Sequence, residues 1–250
     1  MNGTEVTEER GVVYDEADGK LSDVHRPARP PAGGAPIVLL WHGRGPDERD
    51  VLAPLAREAA GLGLVVVVPD WRPDAADGGL RHLRASARFA RERAGELGGD
   101  ADRIVSAGWS LGAYVAMSAA VRPELLDGVR PTAVVGIAGK YLWERPESGL
   151  RDLRDELAAT SVDPVPVHLV HGTADDIAAV HHSRDFVPVL DRWGWPVDLT
   201  ETDADHAGVL GAEYAPGRGR CVPTRNASAL AAGRTTARVL ARAAGLPAPG

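Results

Sequence analysis

Three short segments carry side chains that together can perform acyl transfer. The first is Gly108-Trp109-Ser110-Leu111-Gly112, a G-x-S-x-G sequence between a predicted strand and a predicted helix. Such a turn holds the serine hydroxyl outward, and the flanking glycines are needed because strand and helix converge there. The backbone N–H of Leu111 points toward the same space at the helix N-terminus. We therefore predict that Ser110 is a nucleophile.

A serine hydroxyl is a weak nucleophile at neutral pH, so a base and a group that orients the base are also required. The second segment, His171-Gly172-Thr173-Ala174-Asp175-Asp176, places a carboxylate after a later predicted strand. The third, residues 201–206, ends in His206 after the next strand. The chain order is thus serine, aspartate, histidine.

Buried strands and helices alternate along the chain and position these segments. A hairpin is predicted around residues 12–14 and 21–25, and residues 216–223 form the most loop-like internal segment. The predicted strands are 37–41, 64–68, 103–107, 132–137, 165–170 and 196–200, and the predicted helices are 51–61, 80–97, 111–121, 148–160, 176–191 and 226–244. This alternation indicates βαβ units, and hence a mostly parallel sheet with helices on both faces. The carboxyl ends of such strands lie at one edge, where we expect the three segments to meet.

The composition excludes several classes of protein. A formal charge of −7, from 28 Lys and Arg against 35 Asp and Glu, leaves no basic footprint, so we expect neither nucleic acid nor membrane as a partner. The single cysteine, Cys221, cannot form an intramolecular disulfide. The chain shows no apolar signal segment and no run of the roughly 18 apolar residues that span a membrane. We predict one cytoplasmic domain over residues 1–250, with its oligomeric state left open.

The sequence resembles the α/β-hydrolase superfamily over nearly its whole length. His42-Gly43-Arg44-Gly45 is similar to that family's oxyanion loop, residues 108–112 to its nucleophile elbow, and residues 171–175 to its acid motif. A further similarity, to small bacterial esterases related to feruloyl esterases and kynurenine formamidases, lies in the segment Leu21-Ser22-Asp23-Val24-His25-Arg26-Pro27. The resemblance implies an α/β-hydrolase fold with only a minimal cap.

The same resemblance implies the roles of individual residues. His206 would take the proton of Ser110 during attack on a carbonyl carbon, and Asp175 would orient the imidazole. The backbone N–H groups of Leu111 and Arg44 would stabilise the oxyanion. Asp176 is the alternative acid; we favour Asp175, which has the family's usual spacing from the preceding glycine, and predict that Asp176 caps the helix that follows.

Other side chains near the strand ends have weaker assignments. Trp109, Tyr141 and Trp143 are candidates for contact with substrate, and for Tyr141 and Trp143 packing in the core or at the surface is the alternative. His42 is predicted to hold its loop through backbone hydrogen bonds. A metal site at His181, His182 and Asp185 is disfavoured because adjacent histidines point to different faces of a helix. We therefore expect neither a metal nor an organic cofactor.

The predicted function is hydrolysis of a small-molecule carboxylic ester through a serine acyl-enzyme. Residues 138–160 leave room for one loop and one helix, and the chain has only two phenylalanines, so we expect a shallow site for short acyl or compact aryl esters. An amidase, thioesterase or peptidase would use the same three side chains. A catalytically silent binding module is an alternative of another class, disfavoured because all three residues are present.

Overall fold

A central eight-stranded sheet organises this computed structural model, which describes residues 4–142 and 151–247. Its strands are β1 Val6–Asp15, β2 Lys20–Pro27, β3 Ala35–Trp41, β4 Val65–Pro69, β5 Gly99–Trp109, β6 Ala133–Ile137, β7 Val167–Gly172 and β8 Val197–Thr202. They lie side by side in the order β1-β2-β4-β3-β5-β6-β7-β8. The six strands from β3 to β8 pair in parallel, β2 pairs antiparallel with β4, and β1 pairs antiparallel with β2.

Helices cover both faces of the sheet. They are α1 Ala53–Gly61, α2 Leu80–Glu92, α3 Leu111–Val121, α4 Leu153–Ala159, α5 His181–Arg192 and α6 Ala227–Ala243. Two apolar cores result: α2 to α5 pack on one face of the sheet, and α1 and α6 pack on the other. The strands at the centre are buried on both sides, as the valine-rich segments of β3 and β4 predict. The predicted mostly parallel α/β sheet is thus confirmed.

Several element boundaries differ from the sequence-based predictions. Helix α5 begins at His181 rather than at residue 176, because residues 173–180 form the loop that carries Asp175. The segment predicted as a loop instead contributes to a short antiparallel hairpin, β9 Ala212–Ala215 with β10 Arg220–Pro223. The first residues of the helix predicted at 148–160 lie outside the described part of the chain, and α4 spans Leu153–Ala159. Within the described residues, α4 is the one helix between β6 and β7.

The carboxyl ends of β3, β5, β7 and β8 lead into the loops that carry the predicted functional side chains. Register places Trp41 of β3 beside Gly108 of β5, and Gly172 of β7 beside Thr202 of β8. The loop after β3 therefore leaves the sheet next to the turn that carries Ser110. The loop that carries Asp175, after β7, leaves it next to the loop that carries His206, after β8. Across residues 4–142 and 151–247, no helix has the length and apolar character needed to cross a membrane.

Candidate active site

Ser110 lies on a strained turn between β5 and α3. Its φ of 56° and ψ of −118° place a residue with a Cβ in a region that L-amino acids rarely adopt. A side chain on Gly108 would overlap the backbone of Gly112, and one on Gly112 would overlap the carbonyl of Trp41. The two glycines are therefore required by close backbone approach, as the G-x-S-x-G sequence predicts. A strained backbone of this kind costs about 1–3 kcal/mol and persists only where its surroundings fix it.

Neighbouring backbone fixes the position of this turn. The N–H of Ser110 donates a hydrogen bond to the carbonyl of Ile137 at the end of β6 (2.8 Å), and the N–H of Ala113 donates to the carbonyl of Ser110 (3.1 Å). Ser110 is half-buried, and so is Leu111, the first residue of α3. The first N–H groups of a helix have no acceptor within it, so the N-terminus of α3 can donate to a developing negative charge.

An acid–base pair is assembled beside this turn. His206 Nδ1 lies 2.7 Å from Asp175 Oδ2. The other carboxylate oxygen of Asp175 accepts hydrogen bonds from the backbone N–H groups of Ile177 (2.9 Å) and Ala178 (2.8 Å). The Asp175 side chain is fully buried, whereas that of His206 is 12% exposed. A buried, hydrogen-bonded carboxylate on Nδ1 leaves Nε2 of the imidazole to exchange a proton with a neighbouring hydroxyl.

A second histidine touches the same carboxylate. His171 Nε2 lies 3.4 Å from Asp175 Oδ2 and 2.6 Å from the carbonyl oxygen of Ala178, and Nδ1 lies 2.7 Å from the Ser183 hydroxyl. Two oxygen acceptors near Nε2 assign the proton to that nitrogen, so Nδ1 accepts from Ser183. Burial raises the pKa of the Asp175 carboxyl, but hydrogen bonds from His171 and His206 outweigh it and hold that pKa well below its usual range.

The loop after β3 is held by the buried ring of His42. The Nε2 atom accepts hydrogen bonds from the backbone N–H groups of Glu48 (3.3 Å) and Trp71 (3.2 Å), and Nδ1 lies 3.1 Å from the carbonyl of Gly43. The indole N–H of Trp71 donates to the carbonyl of His42 (3.1 Å). Burial lowers the pKa of His42 to about 4. The neutral ring thus ties the loop to two other backbone segments, the structural role that the sequence predicts.

This loop lies against the serine turn. A Cβ built on Gly43 would lie 3.3 Å from the Cβ of Ser110. Arg44, the next residue, is exposed. The two residues predicted to supply oxyanion N–H groups, Arg44 and Leu111, therefore flank Ser110 from two different elements.

The structure revises the predicted substrate contacts. Trp109 is 7% exposed; its indole N–H donates to the backbone carbonyl of His206 (2.9 Å), and the two rings lie 4.8 Å apart. Its visible contacts are with the residue that carries the base. Tyr141 is 0% exposed and stacks on Phe186, so its predicted contact with substrate is wrong because the ring belongs to the core. Trp143 lies outside the described residues.

The remaining candidates stay apart from the acid–base pair. Asp176 is exposed, and His206 pairs with Asp175. The prediction that Asp176 caps the next helix is wrong, because α5 begins only at His181 and has no side-chain cap. No cluster of three or more metal-ligating side chains occurs in residues 4–142 and 151–247. Burial raises the pKa of the Cys221 thiol to about 11, which disfavours the nucleophilic thiolate.

Sequence reasoning missed His171 and Trp71 as parts of this site. His171 is the first residue of the acid motif, four residues before Asp175, and the one signal for its role is a histidine at the end of an apolar strand. Nothing in the sequence connects Trp71 with His42, because their contact joins the ends of β3 and β4.

The chain is similar in sequence to proteins of Mycobacterium tuberculosis. No family model matches the chain. An uncharacterised protein of Mycobacterium tuberculosis is 34% identical over 188 residues, which cover 71% of this chain and 66% of that protein. The esterase LipC of the same organism is 28% identical over 221 residues, covering 72% of this chain and 54% of LipC. The chain therefore spans between half and two thirds of the length of these curated relatives.

Solved structures show the same architecture over the whole chain. Esterase 2 of Thermogutta terrifontis superposes with a TM-score of 0.69 at 20% identity, covering 100% of this chain and 98% of that one. The same esterase is known phosphorylated by paraoxon and with butyrate bound. A candidate dienelactone hydrolase from Klebsiella pneumoniae gives a TM-score of 0.70 at 15% identity, with 97% and 99% coverage. The chain thus has the α/β-hydrolase fold, and its neighbours in sequence and structure include esterases.

Proposed function

We propose that this protein is a serine hydrolase that cleaves carboxylic esters through Ser110, His206 and Asp175. The observation that carries the proposal is the 2.7 Å contact between His206 Nδ1 and the buried Asp175 carboxylate. With Nδ1 bound to the carboxylate, Nε2 is the imidazole nitrogen that can act as a base, and Trp109, the residue before Ser110, packs against this ring.

The reaction follows from these positions. His206 Nε2 takes the proton from the Ser110 hydroxyl as Oγ bonds to the ester carbonyl carbon, and the carbonyl oxygen becomes an oxyanion held by the N–H groups of Leu111 and Arg44. When the intermediate collapses, the carbon–oxygen bond to the alcohol breaks, and the imidazolium returns its proton to the departing oxygen. Water repeats the attack on the acyl-enzyme, which releases the acid and restores Ser110.

Two observations favour an ester over an amide or a thioester, and an enzyme over a binding module. Esterases recur among the neighbours of this chain, in sequence and in structure. The acid–base pair is intact, whereas a hydrolase fold that only binds its ligand has no need to bury a carboxylate against a histidine. The short acyl or compact aryl ester predicted from the sequence stays a prediction, and a comparison of p-nitrophenyl esters of increasing acyl length tests it.

Covalent labelling tests the nucleophile directly. A fluorophosphonate probe should add one phosphonyl group to the wild-type protein and none to Ser110→Ala, as shown by intact-protein mass and by peptide mapping. Ser228→Ala, at an exposed position in α6, is the matched control and should label like the wild type. Turnover of the best ester should fall by about a million-fold in Ser110→Ala.

A panel of esters, thioesters and amides with one shared acyl group then separates the alternative substrates. We expect the ester to give the highest kcat/KM. Labelling of Ser110→Ala at the wild-type rate would refute the assignment of the nucleophile, and preferential turnover of the amide would make this protein an amidase.

A further inference from the structure

A partly open cleft begins at the two residues that carry the proposed oxyanion donors. Its volume is about 820 Å³, and both Arg44 and Leu111 line it. From there it runs between the loop after β4, the start of α2, one face of α3 and the turn at Pro123–Leu126. This volume lies toward the upper end of the roughly 300–1,000 Å³ typical of small-molecule sites, so the cleft has far more room than a butanoyl group fills.

The walls of the cleft are mostly aliphatic. Its aliphatic lining includes Leu80 and Leu83 of α2, Val115 of α3 and Leu126. Four charged side chains also line it, Arg44, Asp74, Asp77 and Arg122, and Arg122 pairs with the buried Glu156 carboxylate. A cleft with aliphatic walls favours an apolar group and provides no built site for a free ion.

The position of the base identifies which part of an ester enters this cleft. His206 must lie beside the departing alcohol oxygen in order to protonate it. Ser110, Trp109 and His206 do not line the cleft, which reaches the serine turn through Leu111 and Arg44. With the alcohol on the histidine side of Ser110, the substituent on the carbonyl carbon would extend past Leu111 into the cleft.

We propose that this cleft binds the acyl group and that the substrates are esters of carboxylic acids with apolar chains longer than butanoate. The proposal rests on the proposed function and specifies its substrate class. It replaces the shallow site expected from the sequence. The shallow site is expected because the chain has only two phenylalanines and because residues 138–160 leave little room for a cap. The walls of the cleft are instead formed by aliphatic side chains of α2, α3 and the turn after α3.

The test compares p-nitrophenyl esters from acetate to dodecanoate, each below its solubility limit. Wild-type kcat/KM should rise roughly threefold to fourfold per added methylene beyond butanoate, since each buried methylene contributes a similar increment of binding, and should peak between hexanoate and decanoate. Val115→Trp should reduce the space in the cleft, so that kcat/KM no longer rises with acyl length beyond butanoate. Leu80→Trp, on the opposite wall, provides a second test if Val115→Trp folds poorly.

The control variant is Val13→Trp, at an exposed position on β1 outside the cleft, which should keep the wild-type profile. A second substrate series holds the acyl group as acetyl and enlarges the alcohol. If Val115→Trp loses activity toward the esters with large alcohols but not toward those with long acyl groups, the alcohol occupies the cleft and the proposal is overturned. So would a wild-type optimum at acetate or butanoate in a protein whose Ser110 still reacts with the fluorophosphonate. Absence of both labelling and ester turnover would instead refute the proposed function itself.

Discussion

The indole nitrogen of Trp109 lies 2.9 Å from the backbone carbonyl oxygen of His206, so the residue before Ser110 directly holds the proposed base. The two rings also pack at 4.8 Å. Trp109 at the end of β5 thus connects the two residues: its backbone leads directly into Ser110, and its indole binds the loop of His206. Relative placement of a nucleophile and its base within fractions of an ångström is what such a site requires.

We expect Trp109→Phe to lower kcat for the best ester about twofold to tenfold with KM nearly unchanged. Phenylalanine keeps a ring against His206 but removes the N–H donor, and one hydrogen bond contributes about 0.5–1.5 kcal/mol net. Steady-state kinetics measure the effect, with Trp193→Phe at an exposed position as the control. A rise in KM at constant kcat would show that Trp109 contacts substrate, as the sequence predicts.

Asparagine substitutions at Asp175 and Asp176 test which of the two aspartates orients His206. Asp175→Asn should reduce kcat by roughly 10,000-fold, because an amide nitrogen facing His206 Nδ1 stabilises the wrong tautomer. Asp176→Asn should change kcat by less than about twofold, since Asp176 is exposed and His206 contacts Asp175 instead. Both variants are compared on one ester at saturation. The reverse ranking would assign the acid to Asp176.

Local sequence patterns predicted the sheet and the order of the three site segments. The valine-rich β4 and the glycines around Ser110 encode their own conformations, through burial on both faces in one case and close backbone approach in the other. The sequence leaves two roles open for Tyr141, contact with substrate or packing, because its position in the chain does not reveal the stacking on Phe186. The cleft is likewise absent from the sequence-based prediction, because the packing of α2 against α3 that forms its walls is a tertiary feature.

Acid should destabilise the fold through His42. Its pKa is lowered to about 4 in the folded protein, whereas an unfolded histidine titrates at about 6.5. Between these values the unfolded chain binds more protons, so the free energy of unfolding falls as pH decreases from about 6.5 to 4, by roughly 3 kcal/mol in total. Above about pH 6.5 the contribution of His42 is constant.

Urea unfolding of the wild type and of His42→Asn across this pH range measures the contribution. The variant should be less stable at pH 7, because two backbone N–H groups lose their shared acceptor. Its disadvantage should shrink toward pH 4, since it lacks the proton uptake of the unfolded histidine. A stability difference that is independent of pH would contradict a neutral His42 in the folded state.

The last prediction concerns His171 as a positioning residue for the acid. Its Nε2 hydrogen contacts both Asp175 Oδ2 and the carbonyl of Ala178, within a fully buried group. His171→Leu keeps an apolar side chain in the core but removes the donor, so we expect kcat to fall about tenfold to a hundredfold, the effect of losing a hydrogen bond to a charged group. His171→Gln retains an amide donor and should recover a large part of that loss. Because both variants perturb packing at the same site, recovery by glutamine isolates the donor from the shape of the ring, provided that the near-ultraviolet circular dichroism of both matches the wild type. Equal activity of the two variants would reduce His171 to a packing residue, and it would leave His206 as the one side-chain donor that Asp175 requires.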